Sequence, residues 1–248
     1  MHKKTQGIVL RQVKFKESDK ILTIFSRENG KISAIAKGAR KTKSPLMGST
    51  QVFCYSDFVL YRGKSFYHVN QGEVLNSFYS LRNDLYKLAY GTYILEIVEA
   101  GITEEESNEK VFLLLLKTLN VLSVIEDDFL KLVLAFIIKF LSFMGYKPHL
   151  RRCVVCNNNL MGRIKFSISQ GGVLCDKCKN SDLYALSLDL NTVKAMDNLL
   201  YAKLDNLDEV QIPESTLLNI EKILTKYLLA HIDKKTFKSL DFIKSIPK

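Results

Sequence analysis

No stretch of this sequence is long and apolar enough to span a bilayer. The most apolar segment, Phe129 to Met144, is interrupted by Lys131 and Lys139, whereas a spanning helix needs about 20 largely uncharged residues. The apolar run ahead of Arg11 is too short for the core of a signal peptide. Both absences point to the cytoplasm. The sequence also lacks a Walker-type phosphate loop and a Gly-rich dinucleotide fingerprint. Its four histidines, His2, His68, His149 and His231, have no spacing suited to catalysis or metal binding. Glu96 and Glu99, and the run Glu104-Glu105-Glu106, read as solvated helix surface rather than an acid/base pair. No internal repeat or low-complexity tract is visible. An enzyme is therefore not expected, and function should lie in binding.

What the chain does have is a concentrated positive charge. Residues 1–45 contain twelve Lys or Arg against three acids, an excess of nine out of a net +10 for all 248 residues. The other 203 positions are nearly neutral, with 24 basic and 23 acidic side chains. A field confined to the first sixth of the chain attracts polyanions, because phosphate contacts release condensed counterions. An apolar content of 47% marks a folded chain, with length for two or three modules.

Residues 1–80 read as β structure. Strands are expected from Ile8 to about Lys16, Lys20 to Ser26, Lys31 to Lys37, Val52 to Tyr61 and Phe66 to Leu75. Asn29-Gly30 supplies a hairpin signal, since both residues tolerate positive φ. Five strands with one longer loop, Gly38 to Gly48, fit a small barrel of the OB type, and an SH3-like barrel fits nearly as well. Residues 81–148 and 183–248 carry helical spacing. Within them Asp128 to Met144 reads as a buried central helix that Gly145 and Pro148 stop. Asn191 or Ser187 is expected to cap the first of the later helices, and Pro213 to open the next.

Residues 149–182 interrupt that helical pattern with four of the five cysteines. Cys153-x-x-Cys156 and Cys175-x-x-Cys178 have the spacing of a four-cysteine zinc ribbon. Each knuckle offers two thiolates, and two knuckles close a tetrahedral shell with no position left for water or substrate. One structural zinc ion is expected, holding together a segment too short for its own core. Arg151, Arg152, Lys177 and Lys179 read as partial compensation for the thiolate charge. The nucleoside-deaminase pattern, His-x-Glu with a Pro before the second cysteine pair, is absent. Cys54 reads as a buried small hydrophobe.

The loop Lys37-Gly38-Ala39-Arg40-Lys41-Thr42-Lys43-Ser44-Pro45 gathers four cations, and Gly38 lets the backbone approach a ligand closely. Lys37, Arg40, Lys41 and Lys43 are the first candidates for nucleic-acid contact. Arg11, Lys14 and Lys16 on the first strand, and Arg62 and Lys64 in the last hairpin, are expected to extend the track. Most of the interleaved aromatics must fill the barrel. Tyr55 and Tyr67 are the expected base-stacking platforms. No base-reading motif is present, so binding should be independent of sequence.

Taken together, Gly7-Ile8-Val9-Leu10, Glu17-Ser18-Asp19-Lys20, Asn29-Gly30-Lys31 and above all Ala36-Lys37-Gly38-Ala39-Arg40-Lys41 with Ser44 resemble the RecO family of bacterial recombination mediators. The resemblance runs over the whole chain. It implies an α+β protein: an OB-type DNA-binding barrel at 1–80, an all-α domain at 81–148 and 183–248, and an inserted zinc module at 149–182. It further implies binding of single- and double-stranded DNA, strand annealing, and action near the nucleoid. The implied partners are RecR and the acidic, apolar-ended tail of single-strand-binding protein (SSB), with RecA loaded as the result. The tail would dock on the helical domain. The residues alone leave two other readings open: a zinc-containing adaptor for protein docking, and an RNA-binding barrel.

Overall fold

In a computed structural model that describes residues 2–246, five strands lead the chain: β1 (His2–Phe15), β2 (Asp19–Ser26), β3 (Gly30–Ala36), β4 (Tyr55–Arg62) and β5 (Tyr67–Asn76). The helices α1 (Tyr79–Asn83), α2 (Leu85–Gly101), α3 (Glu109–Val124) and α4 (Phe129–Phe143) follow. Three short strands, β6 (Ile164–Ser167), β7 (Gly172–Leu174) and β8 (Leu186–Leu188), precede α5 (Leu190–Tyr201), α6 (Glu214–His231) and α7 (Lys238–Ser245). None of the described helices is long and apolar enough to cross a membrane. The chain divides into two compact units, residues 1–125 with 237–248, and residues 126–236.

The first unit is built on a closed barrel of order β1-β2-β3-β5-β4, with β3 parallel to β5 and β4 returning to β1. This is the OB arrangement of the two that the strand count allowed. Period-2 alternation drives it. Leu22 and Ile24 on β2, Ile32 and Ala34 on β3, Phe58 and Leu60 on β4 and Tyr67 and Val69 on β5 turn inward to one buried core. The β2–β3 turn needs Gly30. Its φ is +66°, and a Cβ there would lie 2.2 Å from the Glu106 carbonyl oxygen.

Packing continues past residue 80, and the first helices close on the barrel within the first unit. Phe112 on α3 meets Phe25 and Tyr55 edge-on, at centroid distances of 5.6 and 6.2 Å. Gly91 lets α2 approach Phe53, which a Cβ would strike at 2.9 Å. On the far side of α2, Tyr93 packs on Phe237 at 5.1 Å, and the Ser239 hydroxyl donates to Glu96 at 2.7 Å, which fastens α7. The first three helices and the last therefore form one body with the barrel, because both faces of α2 carry apolar groups to bury. Full burial of an aromatic side chain contributes about 1.5–3 kcal/mol. Asp84 and Asn108 cap α2 and α3, accepting from the backbone N–H groups of Lys87 and Val111 at 2.7 and 3.1 Å.

In the second unit α4 packs against α5 and α6. It buries ten side chains, among them Lys131, as the sparse polar pattern requires. Lys131 is matched by Asp128 at 2.6 Å, and Lys139 donates to the Leu200 carbonyl at 2.8 Å. Burial lowers the Lys139 pKa from its ordinary value. The cap of α5 is Asp189, accepting from Thr192 N–H at 2.8 Å, rather than Asn191 or Ser187. The carboxylate sits one residue before the helix, where an N-cap must be. Pro213 does open α6. The segment 149–188 is a small three-stranded antiparallel sheet, β7-β6-β8, packed against the cysteines through Leu174 and Ala185.

Candidate functional site: a basic barrel end and a four-thiolate cluster

The loop after β3 is folded onto the β1–β2 turn. Gly38 N–H donates to Asp19 Oδ1 at 2.8 Å, and Arg40 N–H to the Ser18 carbonyl at 2.9 Å. The Arg40 guanidinium reaches the Glu17 carbonyl at 2.9 Å and the Lys16 carbonyl at 3.5 Å. Ala39 and Leu46 drop into the barrel core and anchor the loop between them. Lys16, Lys37, Arg40, Lys41 and Lys43 remain exposed. The fold thus gathers the basic loop and the β1–β2 turn at one barrel end, and the exposed Lys14 pairs in register with Lys20 just below it.

The rest of the expected track is not continuous with that end. Arg11 is paired with Glu99 of α2 at 2.9 Å. Arg62 is paired with Glu105 at 2.9 Å and donates to the Tyr67 hydroxyl at 2.7 Å. Glu105 N–H donates to the Lys31 carbonyl, at the start of β3, whereas Lys37 follows its end. Because β5 runs parallel to β3, pairing Tyr67 with Ala34, Lys64 lies towards the start of β3 as well. Tyr67, with Arg62 beside it, pairs with Ala34, three residues before Lys37, so Arg62 lies roughly 10 Å along the barrel from the start of the basic loop and Lys64 farther. Residues 104–106 lie beyond the end of α2, where Glu104 and Glu106 are exposed; of the acids expected to be solvated helix surface, Glu99 and Glu105 are instead partners. Besides these two, the Glu99 carbonyl accepts Lys31 Nζ at 2.7 Å.

Lys20 was not legible as a special residue, although its place in the 20-22-24 alternation is the signal. It points inward and is buried, donating to Thr50 Oγ1 at 3.2 Å and the Thr50 carbonyl at 3.4 Å. Burial, then the nearby Arg40, lowers its pKa from the ordinary lysine value. The expected aromatic platforms also change. Tyr67 is 4% exposed and belongs to the core, and Tyr55 packs on Phe112, whereas Tyr61 and Phe66 are 45% and 36% exposed. Register explains Tyr61. Val13, Ile21, Ile35, His68 and Tyr61 are successive cross-strand neighbours on the outward face, a row that crosses all five strands. Below that row the outward face is occupied, since Phe25 is covered by Phe112.

In the second unit the four Sγ atoms of Cys153, Cys156, Cys175 and Cys178 lie within 4.8 Å of one another, with Cys156 and Cys175 3.6 Å apart. A tetrahedral ion with metal–sulfur bonds of about 2.3 Å sets its ligands roughly 3.8 Å apart, so the cluster fits such an ion. Each knuckle is closed by its own turn: Asn157 N–H donates to the Cys153 carbonyl at 2.9 Å, and Cys178 N–H to the Cys175 carbonyl at 3.0 Å. Burial opposes ionisation of Cys153, but the backbone N–H groups of Cys156, Cys175 and Val155 hold its thiol down to about 6. Cys178, crowded by Cys156 first, then by burial and by Cys153 and Cys175, is pushed up to about 12. Without a cation the cluster accommodates a first thiolate and resists the last. The nearby cations do not all compensate it: Arg151 pairs with Asp197 at 3.3 Å and Lys179 with Asp176 at 2.8 Å.

The chain thus carries an OB-type barrel whose exposed end is basic and a four-cysteine cluster that could hold a metal ion, a combination in keeping with nucleic-acid-binding proteins. Residues 1–78 match the family described as Recombination protein O N terminal, and residues 82–241 match Recombination protein O C terminal. The chain is 39% identical to the DNA repair protein RecO of Alkaliphilus metalliredigens over 98% of its own length and 99% of the relative's. It is 39% identical to that of Acetivibrio thermocellus (99% and 97% covered) and 32% to that of Clostridium perfringens (97% and 96%). The chain belongs to the RecO family of DNA repair proteins.

Proposed function

We propose that this chain is a DNA-binding recombination mediator that anneals complementary strands in recombinational repair. In this reading it works in the cytoplasm with RecR and SSB, whose acidic tail docks on the helical part, and the outcome is RecA loading. The observation that supports it most directly is the docking of Lys37–Lys43 on the β1–β2 turn through Arg40 and Gly38. That contact groups Lys16, Lys37, Arg40, Lys41 and Lys43 at one edge of the outward row Val13-Ile21-Ile35-His68-Tyr61. The cations neutralise phosphates, and the row offers flat apolar and aromatic surface on which bases rest without hydrogen-bond readout. Two strands whose charge is screened in this way meet with less repulsion, so pairing proceeds with no covalent step. Lys14 continues the same edge. Arg11, Arg62 and Lys64 contribute less, two of them being paired with acids and all lying away from the loop. The four cysteines hold zinc, which supplies folding energy to the module in a closed shell.

The test is annealing of two complementary, dye-labelled DNA strands coated with SSB. The protein accelerates annealing, and the effect fades as salt rises. A folded, metal-loaded sample that leaves the rate unchanged overturns the mediator reading, and preference for RNA over DNA of equal length redirects it to RNA.

A further inference from the structure

A second basic cleft lies in the other unit, beside the first cysteine knuckle. It encloses about 560 Å³ between residues 147–154 and the end of α5. Three cations line it, Lys147, Arg151 and Arg152, against one acid, Asp197. Tyr201, 53% exposed, stands among them. Lys147 Nζ donates to its hydroxyl at 2.8 Å and lies 5.0 Å from the ring centroid, and the Arg151 guanidinium lies 4.9 Å from the same centroid. Asp197 takes part of the Arg151 charge at 3.3 Å and leaves the other two cations in excess. Of the cleft's apolar residues Pro148, Leu150 and Leu200 are buried and Val154 is half-buried, and beside them the cleft presents three cations and one exposed aromatic ring.

We propose that this cleft is a second DNA contact, taking the sugar–phosphate backbone of a single strand on Lys147, Arg151 and Arg152 with a base against Tyr201. Charge complementarity, three cations against one carboxylate with an exposed aromatic ring among them, sets the occupant as a nucleic-acid backbone. Aromatic rings flanked by cations bind single strands in a sequence-tolerant way. The proposal rests on the reading of the chain as a DNA annealer and adds to it a site outside the barrel. A protein that pairs two strands gains from two separate grips, since each then holds one strand. The cleft wall is continuous with the cysteine cluster. Cys153 N–H donates to the Asn158 carbonyl at 3.0 Å, and Val154 N–H to the Val173 carbonyl at 2.9 Å, so the cysteine module fixes where Arg151 and Arg152 stand.

The experiment uses the full chain and a dye-labelled oligothymidylate, read by anisotropy across a salt series. Three proteins are compared with the parent: Lys147→Gln/Arg151→Gln/Arg152→Gln, Lys37→Gln/Arg40→Gln/Lys41→Gln/Lys43→Gln, and Tyr201→Ala. The cleft triple variant should lower the slope of log affinity against log salt by up to about 2, at roughly 0.7 for each phosphate no longer neutralised. An oligonucleotide carrying 5-iodouracil should cross-link to Tyr201 in the parent and in the loop variant. Metal content and circular dichroism check that the triple variant folds, and Tyr201→Ala, which removes the ring without touching the cations, serves if it does not: its affinity should fall five-fold or more. A full salt slope, parental affinity in Tyr201→Ala and no cross-link at Tyr201 overturn the proposal. So does an aspartate-rich peptide that occupies the cleft without displacing DNA. If the loop variant alone keeps full binding, the barrel reading fails while the cleft stands.

Discussion

The Arg40 guanidinium donates to the Glu17 carbonyl at 2.9 Å. One side chain of the basic loop thereby holds that loop against the first turn of the barrel. Arg40 then has two separable roles, a charge and a strut. A lysine keeps the charge but presents a single ammonium in place of a planar fork. Arg40→Lys should leave the salt slope of DNA binding near parental while lowering affinity several-fold and raising hydrogen exchange of residues 37–44. Arg40→Gln should also flatten the slope, by up to about 0.7 on single strands. Equal exchange in parent and Arg40→Lys would remove the strut.

Glu105 silences Arg62 at 2.9 Å, and both side chains are about half exposed. Such a pair contributes little to stability. Its larger effect is on the field that DNA meets. Glu105→Gln frees a cation on the β4–β5 turn, so the variant should bind oligothymidylate more tightly at low salt and with a steeper salt slope, while its melting temperature stays within a few degrees of the parent. Unchanged binding would mean that DNA does not pass this turn.

The barrel, the helix breaks and the cysteine cluster were legible because each is written in local pattern: alternation at 20-22-24, Asn29-Gly30, Gly145, and two C-x2-C pairs. The basic loop was equally plain. What the sequence could not show is which cations are already answered. Arg11 and Arg62 look like Lys14 and Lys16 in the chain, but Glu99 and Glu105, 88 and 43 residues further on, neutralise them. The same limit affected the aromatics. Tyr67 and Tyr61 are both strand tyrosines, and only the register that sets Tyr61 beside His68 on the outward face separates platform from core. The packing of the first helices on the barrel was hidden for a similar reason. Helical spacing at 81–125 says that a helix buries a stripe, not that Phe112 buries it on Phe25.

Four sulfurs within 4.8 Å of one another can hold one metal ion, and a cation that offsets their charge is expected to keep the segment between the knuckles folded. Elemental analysis should find one metal per chain, and Cys156→Ser or a strong chelator should remove it. Structural four-cysteine sites tie metal affinity to folding. Hydrogen-exchange protection of residues 149–182 should therefore collapse on metal loss, while the barrel strands keep theirs. Chelation that leaves both regions equally protected would show that the sheet β7-β6-β8 stands without the ion.

His231, at the end of α6, stacks on Tyr146 at 4.0 Å and meets Tyr227 edge-on at 4.6 Å, and Tyr227 in turn packs on Phe166 of β6 at 5.2 Å. Its Nε2 is buried without a hydrogen-bond partner among the described residues, and burial lowers its pKa below the ordinary 6.5. The folded state therefore holds the ring neutral at a pH where the unfolded chain has begun to take up a proton. Where the unfolded state binds more protons, stability rises with pH. The contribution of His231 is thus fully present above pH 6.5 and is lost as pH falls from there towards the folded pKa. The parent should lose stability between about pH 7.5 and 5.5 faster than His231→Phe, which keeps a ring between the two tyrosines and cannot titrate. Chemical denaturation at the two pH values reads the difference. Parallel losses in both proteins would mean that the ring charges without cost, through solvent reaching Nε2.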